Sequence, residues 1–137
     1  MCIRDRLEKA EERPRMDSAD AIYEYMHPRM QDLAMEQAWA LLLNQNFGLI
    51  RAMQISQGGI SGTAVDVRVV LKEALLNNAT VIALCHNHPS NNTTPSGDDN
   101  RLTQRLQKAC EAMSIYLLDH VIVTDGKYYS YRENGKI

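Results

Sequence analysis

The residues best suited to chemistry sit in one stretch, C-H-N-H-P-S-N-N-T-T-P-S-G-D-D, running from Cys85 to Asp99. Side chains alternate along an extended backbone, so a strand that continues through His88 projects His86 and His88 to the same side. Two imidazoles at the end of a strand are half of a metal site. Pro89 has no N–H to continue a ladder and turns the chain away from the sheet. Asp99 falls eleven positions after His88, in the first turn of the next helix. The chain can therefore loop out and bring a carboxylate back to the two histidines. Two nitrogens and one oxygen, with a fourth position left to water, are the donor set of a catalytic rather than a structural zinc site. Asp98 competes with Asp99, since a charge near a helix N-terminus suits either. Only the eleven-residue spacing selects Asp99.

Hydrolysis at such a site also needs a base to take a proton from water. The upstream candidates are Glu8, Glu11, Glu12, Glu24, Glu36 and Glu73. The first three belong to a segment without core pattern, and Glu24 and Glu73 lie on helices among solvated charges. Glu36 differs: it stands at the mouth of a buried strand, where a neighbouring strand can place it beside the metal. Ser96, three residues before Asp99, has two readings. It donates to an oxyanion, or it caps the helix that follows.

These residues need elements to position them. Asp17 or Ser18 can cap a helix carrying Ala21, Ile22, Tyr25 and Met26 at helical spacing, which Pro28 ends or kinks. Gln37 to Asn44, containing AWALLL, reads as a buried strand, and Leu49 to Ser56 as its hairpin partner. Gln57-Gly58-Gly59 and Ser61-Gly62 break the chain. Asp66 then caps a helix with Val67, Val70, Leu71, Ala74 and Leu75 on one stripe. Thr80 to Cys85 is a short apolar strand, buried under helices on one or both faces. Asp98 to Met113 reads as a long helix with Leu102, Leu106, Ala109, Cys110 and Met113 on one face. Leu117 to Thr124 and Lys127 to Tyr131 are strands joined by Asp125-Gly126, a hairpin turn signal. The order predicts an α/β architecture, a mixed β-sheet sandwiched by helices.

Composition narrows the classes. At 137 residues, with 45% hydrophobic and 23% charged residues, the chain matches an ordinary globular domain rather than a disordered one. Fifteen basic against seventeen acidic residues, a net charge of −2, give no broad basic surface for nucleic acid. The apolar runs are too short to span a bilayer, so no membrane association is expected. Cys2, Cys85 and Cys110 form neither a disulfide framework nor a C-x-x-C zinc pattern. A cytoplasmic protein with one domain over residues 17–137 is expected. Residues 1–16, MCIRDRLEKAEERPRM, are set outside it as unstructured, an artefact of gene prediction or the stub of a longer protein. An ordered arm packed on the domain is the alternative.

H-x-H-P, six residues, then S-x-x-D, with a glutamate upstream, resembles the JAMM (MPN-plus, JAB) metallopeptidase signature. The stretches GGISGTAVDVRVVLKEALLNNATVIALCHNHPS and LLDHVIVTDGKYYSYRENG narrow the resemblance to the RadC-like branch, from about Pro14 to the C-terminus. That resemblance implies zinc ligands at His86, His88 and Asp99, a catalytic glutamate at Glu36 and a supporting serine at Ser96. It also implies a JAB/MPN fold, a cytidine-deaminase-like α/β sandwich. RadC proteins often carry a helix-hairpin-helix region before this domain, and this chain shows none, so DNA binding supplied by that region is not expected of it. Two departures stand out. Asn91 replaces the glycine of the usual HNHPSG, a position where Asn tolerates left-handed angles. Gly97-Asp98 replaces an acidic or polar pair and is expected to loosen the helix start.

The neighbouring polar residues have simpler readings. His120, in LLDHVIV, is read as structural rather than as a support for the site. Cys85 points away from His86 as a core thiol, Cys110 belongs to an apolar helix stripe, and Tyr128, Tyr129 and Tyr131 pack rather than stack on bases. The leading expectation is a zinc-dependent hydrolase acting on an amide, peptide or isopeptide bond of a peptide or protein substrate. The rival is a metal-bearing, non-hydrolytic module of a RadC-type DNA repair protein, binding DNA or a protein partner. A base deaminase is excluded, because H-x-E and P-C-x-x-C are both missing.

Overall fold

The computed structural model describes residues 13–57 and 65–137. Gly58-Gly59 and Ser61-Gly62, read as chain breaks, lie outside the described residues, as do residues 1–12 with Cys2, Glu8, Glu11 and Glu12.

The order of elements is the one the sequence predicts: α1 (Ala19–Met30), β1 (Gln37–Leu43), β2 (Leu49–Gln57), α2 (Val67–Leu76), β3 (Val81–Asn87), α3 (Gly97–Ala112), β4 (Tyr116–Val123) and β5 (Tyr128–Ser130). The strands form one mixed sheet in the order β2-β1-β3-β4-β5. Among the described residues β3 and β4 run parallel, joined by the α3 crossover, and the other neighbours are antiparallel. Strand alternation divides the core in two. Ala38, Ala40, Leu42, Ile82 and Leu84 pack under α2 and α3. Leu41, Leu43, Val81, Ala83 and Cys85, from the same strands, pack under α1. The result is an α/β sandwich, consistent with a JAB/MPN-type fold.

Local chemistry sets the helix ends. Ser18 caps α1 through the Ala21 N–H, and Asp66 caps α2 through the Arg68 N–H. Pro28 does not stop α1, which continues to Met30. Proline removes one hydrogen bond there, but the Gln31 N–H still reaches the His27 carbonyl at 2.8 Å, and burial of Met26 and Met30 holds the turn. The stripe predicted for α2 is too wide: Val67, Val70 and Ala74 are buried, while Leu75 is 50% exposed. Met113 lies past the end of α3 as its C-cap and is likewise exposed.

Chain ahead of residue 17 also packs onto the fold. Met16 is buried, its N–H bonds the Phe47 carbonyl, and Arg15 bridges Gly48. One methionine filling the space beneath α1 leaves no periodic signal, which is why this edge escaped the sequence pattern.

Candidate metal centre

The cluster forms where β3 ends and α3 begins. β1 lies antiparallel beside β3, with Ala38 opposite His86. Glu36, two residues before Ala38, therefore comes level with His88 on the same face. Past β3, the Asn91 N–H closes a turn onto the His88 carbonyl, and Asn91 itself adopts φ +62°. That left-handed angle is the one asparagine was expected to tolerate. Ser96 then caps α3: its Oγ accepts from the Asp99 N–H at 3.1 Å, and Asp99 Oδ2 accepts from the Ser96 N–H at 2.8 Å. This reciprocal capping box fixes the Asp99 carboxylate at the positive end of the helix. Gly97 is the first residue of α3, and the capping box holds the start that the Gly97-Asp98 pair was expected to loosen.

Glu36, His86, His88 and Asp99 are thereby brought together, with one ligand atom from each lying within 4.8 Å of all the others. His86 Nε2 is 2.9 Å from His88 Nε2. Asp99 offers one oxygen to each ring, 3.2 Å from His86 and 3.3 Å from His88. Glu36 Oε1 stands farther out, at 3.6 and 4.0 Å from the same nitrogens. Three atoms about 2.0–2.1 Å from a shared centre, at angles between a right angle and tetrahedral, lie about 2.9–3.4 Å apart. The separations fit a divalent cation. The other nitrogen of each ring is already engaged: His88 Nδ1 with the Asn92 carbonyl at 2.6 Å, His86 Nδ1 with His120 Nε2 at 2.7 Å. Both Nε2 atoms are thus left facing the cluster, the arrangement a metal requires of ligating histidines. Asp98, the competitor, turns outward and pairs with Arg101.

Electrostatics follow from this crowding. Burial alone would raise Asp99, yet hydrogen bonds and charge from His86 and His88, with the Ser96 N–H, hold it far below the ordinary carboxylate range. Burial pushes Glu36 up; the two histidines pull it back without cancelling the rise, and Asp99 adds to it. For His88, burial opposes protonation, but Asp99, the Asn92 carbonyl and Glu36 outweigh it and raise its pKa. Burial, with the charges of His86 and His88, keeps His120 neutral against the opposing pull of Asp99.

Three contributors were not singled out for these roles in the sequence. His120, read there as structural, is wholly buried against His86. Thr103, one helical turn past Asp99, touches His120. Asn87 holds both neighbours of Glu36, accepting from the Gln37 N–H at 2.6 Å and donating to the Met35 carbonyl at 3.2 Å. Its place between the two histidines was the available signal, because residue 87 must face the other side of the strand. The expected core roles of Cys85 and Cys110 hold, since both thiols are buried. Tyr131 is buried too and stacks on His120, with ring centroids 4.7 Å apart.

An α/β sandwich carrying a His-His-Asp-Glu cluster at the end of its central strand defines a JAB-type domain with a candidate metal centre. Comparison with known proteins gives the family: residues 16–136 match the RadC-like JAB domain, and the chain belongs to that family. It is 40% identical over 132 residues to a UPF0758 protein of Flavobacterium johnsoniae, covering 96% of this chain and 58% of the relative. It is 40% identical over 130 residues to a UPF0758 protein of Porphyromonas gingivalis, covering 92% and 57%. A third UPF0758 protein, from Pelobacter propionicus, is 37% identical over 121 residues, covering 88% and 53%. The chain thus spans rather more than half the length of these curated relatives. Among the described residues, no helix is long and apolar enough to cross a membrane.

Proposed function

We propose that this domain is a zinc-dependent hydrolase of the JAMM type that cleaves an amide, peptide or isopeptide bond in a peptide or protein substrate in the cytoplasm. The observation carrying this reading is the meeting of His86, His88 and Asp99 around one point, with Glu36 just outside it. The family includes metallopeptidases, and the donor set suits zinc, with three protein ligands and an open position. Zinc so held supplies Lewis acidity and lowers the pKa of water toward neutrality.

The chain's own groups do the rest. Glu36, its basicity raised by burial, takes the proton from the attacking water and delivers it to the leaving amine. Ser96 Oγ accepts from the Asp99 N–H, which leaves its O–H free to donate to the oxyanion. Asn87 keeps Glu36 in place through the backbone on either side of it. A cavity of about 260 Å³ opens at the end of β3 against α1, lined in part by His27, Met30, Asn87 and Asp125, and of the four cluster residues His88 alone lines it.

The test is metal content by mass spectrometry together with cleavage of peptide and isopeptide-linked substrates. Wild type should carry about one zinc per chain, and Glu36→Gln should keep the zinc and lose turnover. A wild type that takes up no zinc when supplied would sink the reading. Zinc binding with full activity in Glu36→Gln would remove Glu36 from the mechanism. Zinc binding without cleavage, accompanied by salt-dependent DNA binding, would favour the non-hydrolytic RadC-type module instead.

A further inference from the structure

Behind the cluster runs a chain of hydrogen bonds whose direction can be worked out atom by atom. The Thr103 hydroxyl has one proton. Its Oγ1 lies 2.8 Å from the Asp99 carbonyl oxygen, which can only accept, so the proton points there. Toward His120 Nδ1, at 2.5 Å, the same oxygen must then accept, and His120 carries its hydrogen on Nδ1. A neutral imidazole with Nδ1–H has a bare Nε2. That Nε2 faces His86 Nδ1 at 2.7 Å, so His86 donates. With its hydrogen on Nδ1, His86 presents a bare Nε2 to the cluster.

We propose that Thr103 and His120 act as a tautomer lock on His86. A one-way relay from His86 through His120 and Thr103 to the Asp99 carbonyl keeps the His86 Nε2 lone pair free for a cation. The relay starts at one ligand and ends on the backbone of another, tying the end of β3 to the first turn of α3. Metal-ligating histidines usually donate to a carboxylate, a carbonyl or water. Here the acceptor is a second imidazole, which can itself hold either tautomer, so the choice passes to Thr103. Tyr131 lies flat on His120, at an interplanar angle of 6°, and its hydroxyl is anchored on Asn100 at 2.8 Å, which opposes a ring flip that would put a carbon in place of each nitrogen. Thr103 and His120 are positioning residues, since neither is among the four residues whose ligand atoms meet in the cluster.

The inference rests on the cluster being a metal centre, and its test separates the two ideas. Zinc affinity is measured by competition with a chromophoric chelator, and ¹⁵N–¹H imidazole spectra of the metal-free protein report the His86 tautomer. Wild type should show His86 protonated on Nδ1. The near-isosteric Thr103→Val removes the acceptor and should weaken zinc binding about 10–100-fold, with mixed tautomers at His86. Thr103→Ser restores the hydroxyl and should bind within about threefold of wild type, a rescue that a purely packing role would not produce. If Thr103→Val does not fold, the comparison is His120→Gln, whose amide can both accept and donate, against His120→Leu, which can do neither; only the second should lose affinity. Thr103→Val binding like wild type, or His86 protonated on Nε2, overturns the lock alone. A wild type that takes up no metal overturns the metal-centre reading and the lock with it.

Discussion

Asp99 and Asp119 are both buried carboxylates, 3% and 2% exposed, and they behave in opposite ways. Asp119, on β4, is surrounded by donors from its own chain. The His120 N–H lies at 2.7 Å, the Arg132 N–H at 3.0 Å and the Ser130 hydroxyl at 2.5 Å. These bonds knit the turn after β5 onto β4, and burial still leaves the Asp119 pKa raised. Asp99 has one backbone donor, from Ser96, and otherwise faces two imidazole nitrogens; its pKa is pushed far down. Burial alone therefore does not mark a functional carboxylate. What distinguishes Asp99 is that its carboxylate faces two imidazole nitrogens in place of fixed hydroxyl and backbone donors, an arrangement that a cation or a shared proton satisfies.

The sharpest way to break this contrast is to truncate each carboxylate. Asp99→Ala should weaken zinc binding by more than about 100-fold, beyond the loss expected from removing a supporting partner. Asp119→Ala should instead destabilise the fold by about 1–3 kcal/mol for each donor left without a partner, namely the His120 and Arg132 N–H groups and the Ser130 hydroxyl, while the folded fraction still binds metal. Denaturant unfolding and metal titration on both variants check this, and equal effects on both readouts would erase the distinction.

The next largest effect is on pH dependence. In the metal-free protein the His88 pKa is raised above 6.5. Its proton therefore stabilises the fold fully below pH 6.5, and that contribution is lost as pH rises through the folded-state value. Zinc must displace the same proton. The gain in melting temperature on adding zinc should accordingly be larger at pH 8 than at pH 6; an equal or smaller gain at pH 8 would contradict the assignment.

Two smaller effects separate holding Glu36 from holding Asp99. Asn87→Ala leaves the Gln37 N–H and Met35 carbonyl without their partner. A cost of about 1–3 kcal/mol is expected, with reduced turnover and undiminished zinc content. Ser96→Ala removes the cap of α3 and should cost about 1 kcal/mol in thermal or chemical unfolding. Its zinc affinity should fall less than that of Asp99→Ala, since the carboxylate itself remains.

Much of this arrangement was written in local sequence. The H-x-H parity, the return distance to Asp99, the Asp66 cap and the Asp125-Gly126 turn each depend on a few neighbouring residues. The order of elements follows from hydrophobic period, which is local too. Glu36 could be preferred over Glu24 and Glu73 because it alone stands at the mouth of a buried strand.

What only the tertiary structure decided involves register and facing. β3 and β4 pair in parallel with a shift between Ile82 and Ala83, and that offset sets Leu84 opposite His120 and brings the His120 ring onto His86. Nothing near His120 in sequence encodes it, so the residue read as an ordinary strand histidine. Thr103 joins the relay only because α3 crosses back over that face of the sheet. Met16 is core only because the chain before α1 lies against the β1–β2 turn, and Leu75 is exposed because α2 turns a narrower stripe inward than its periodicity suggests. Spacing along the chain determined which groups could hold a metal. The packing of distant segments, driven by burial of both faces of one sheet, decided which groups stand behind them.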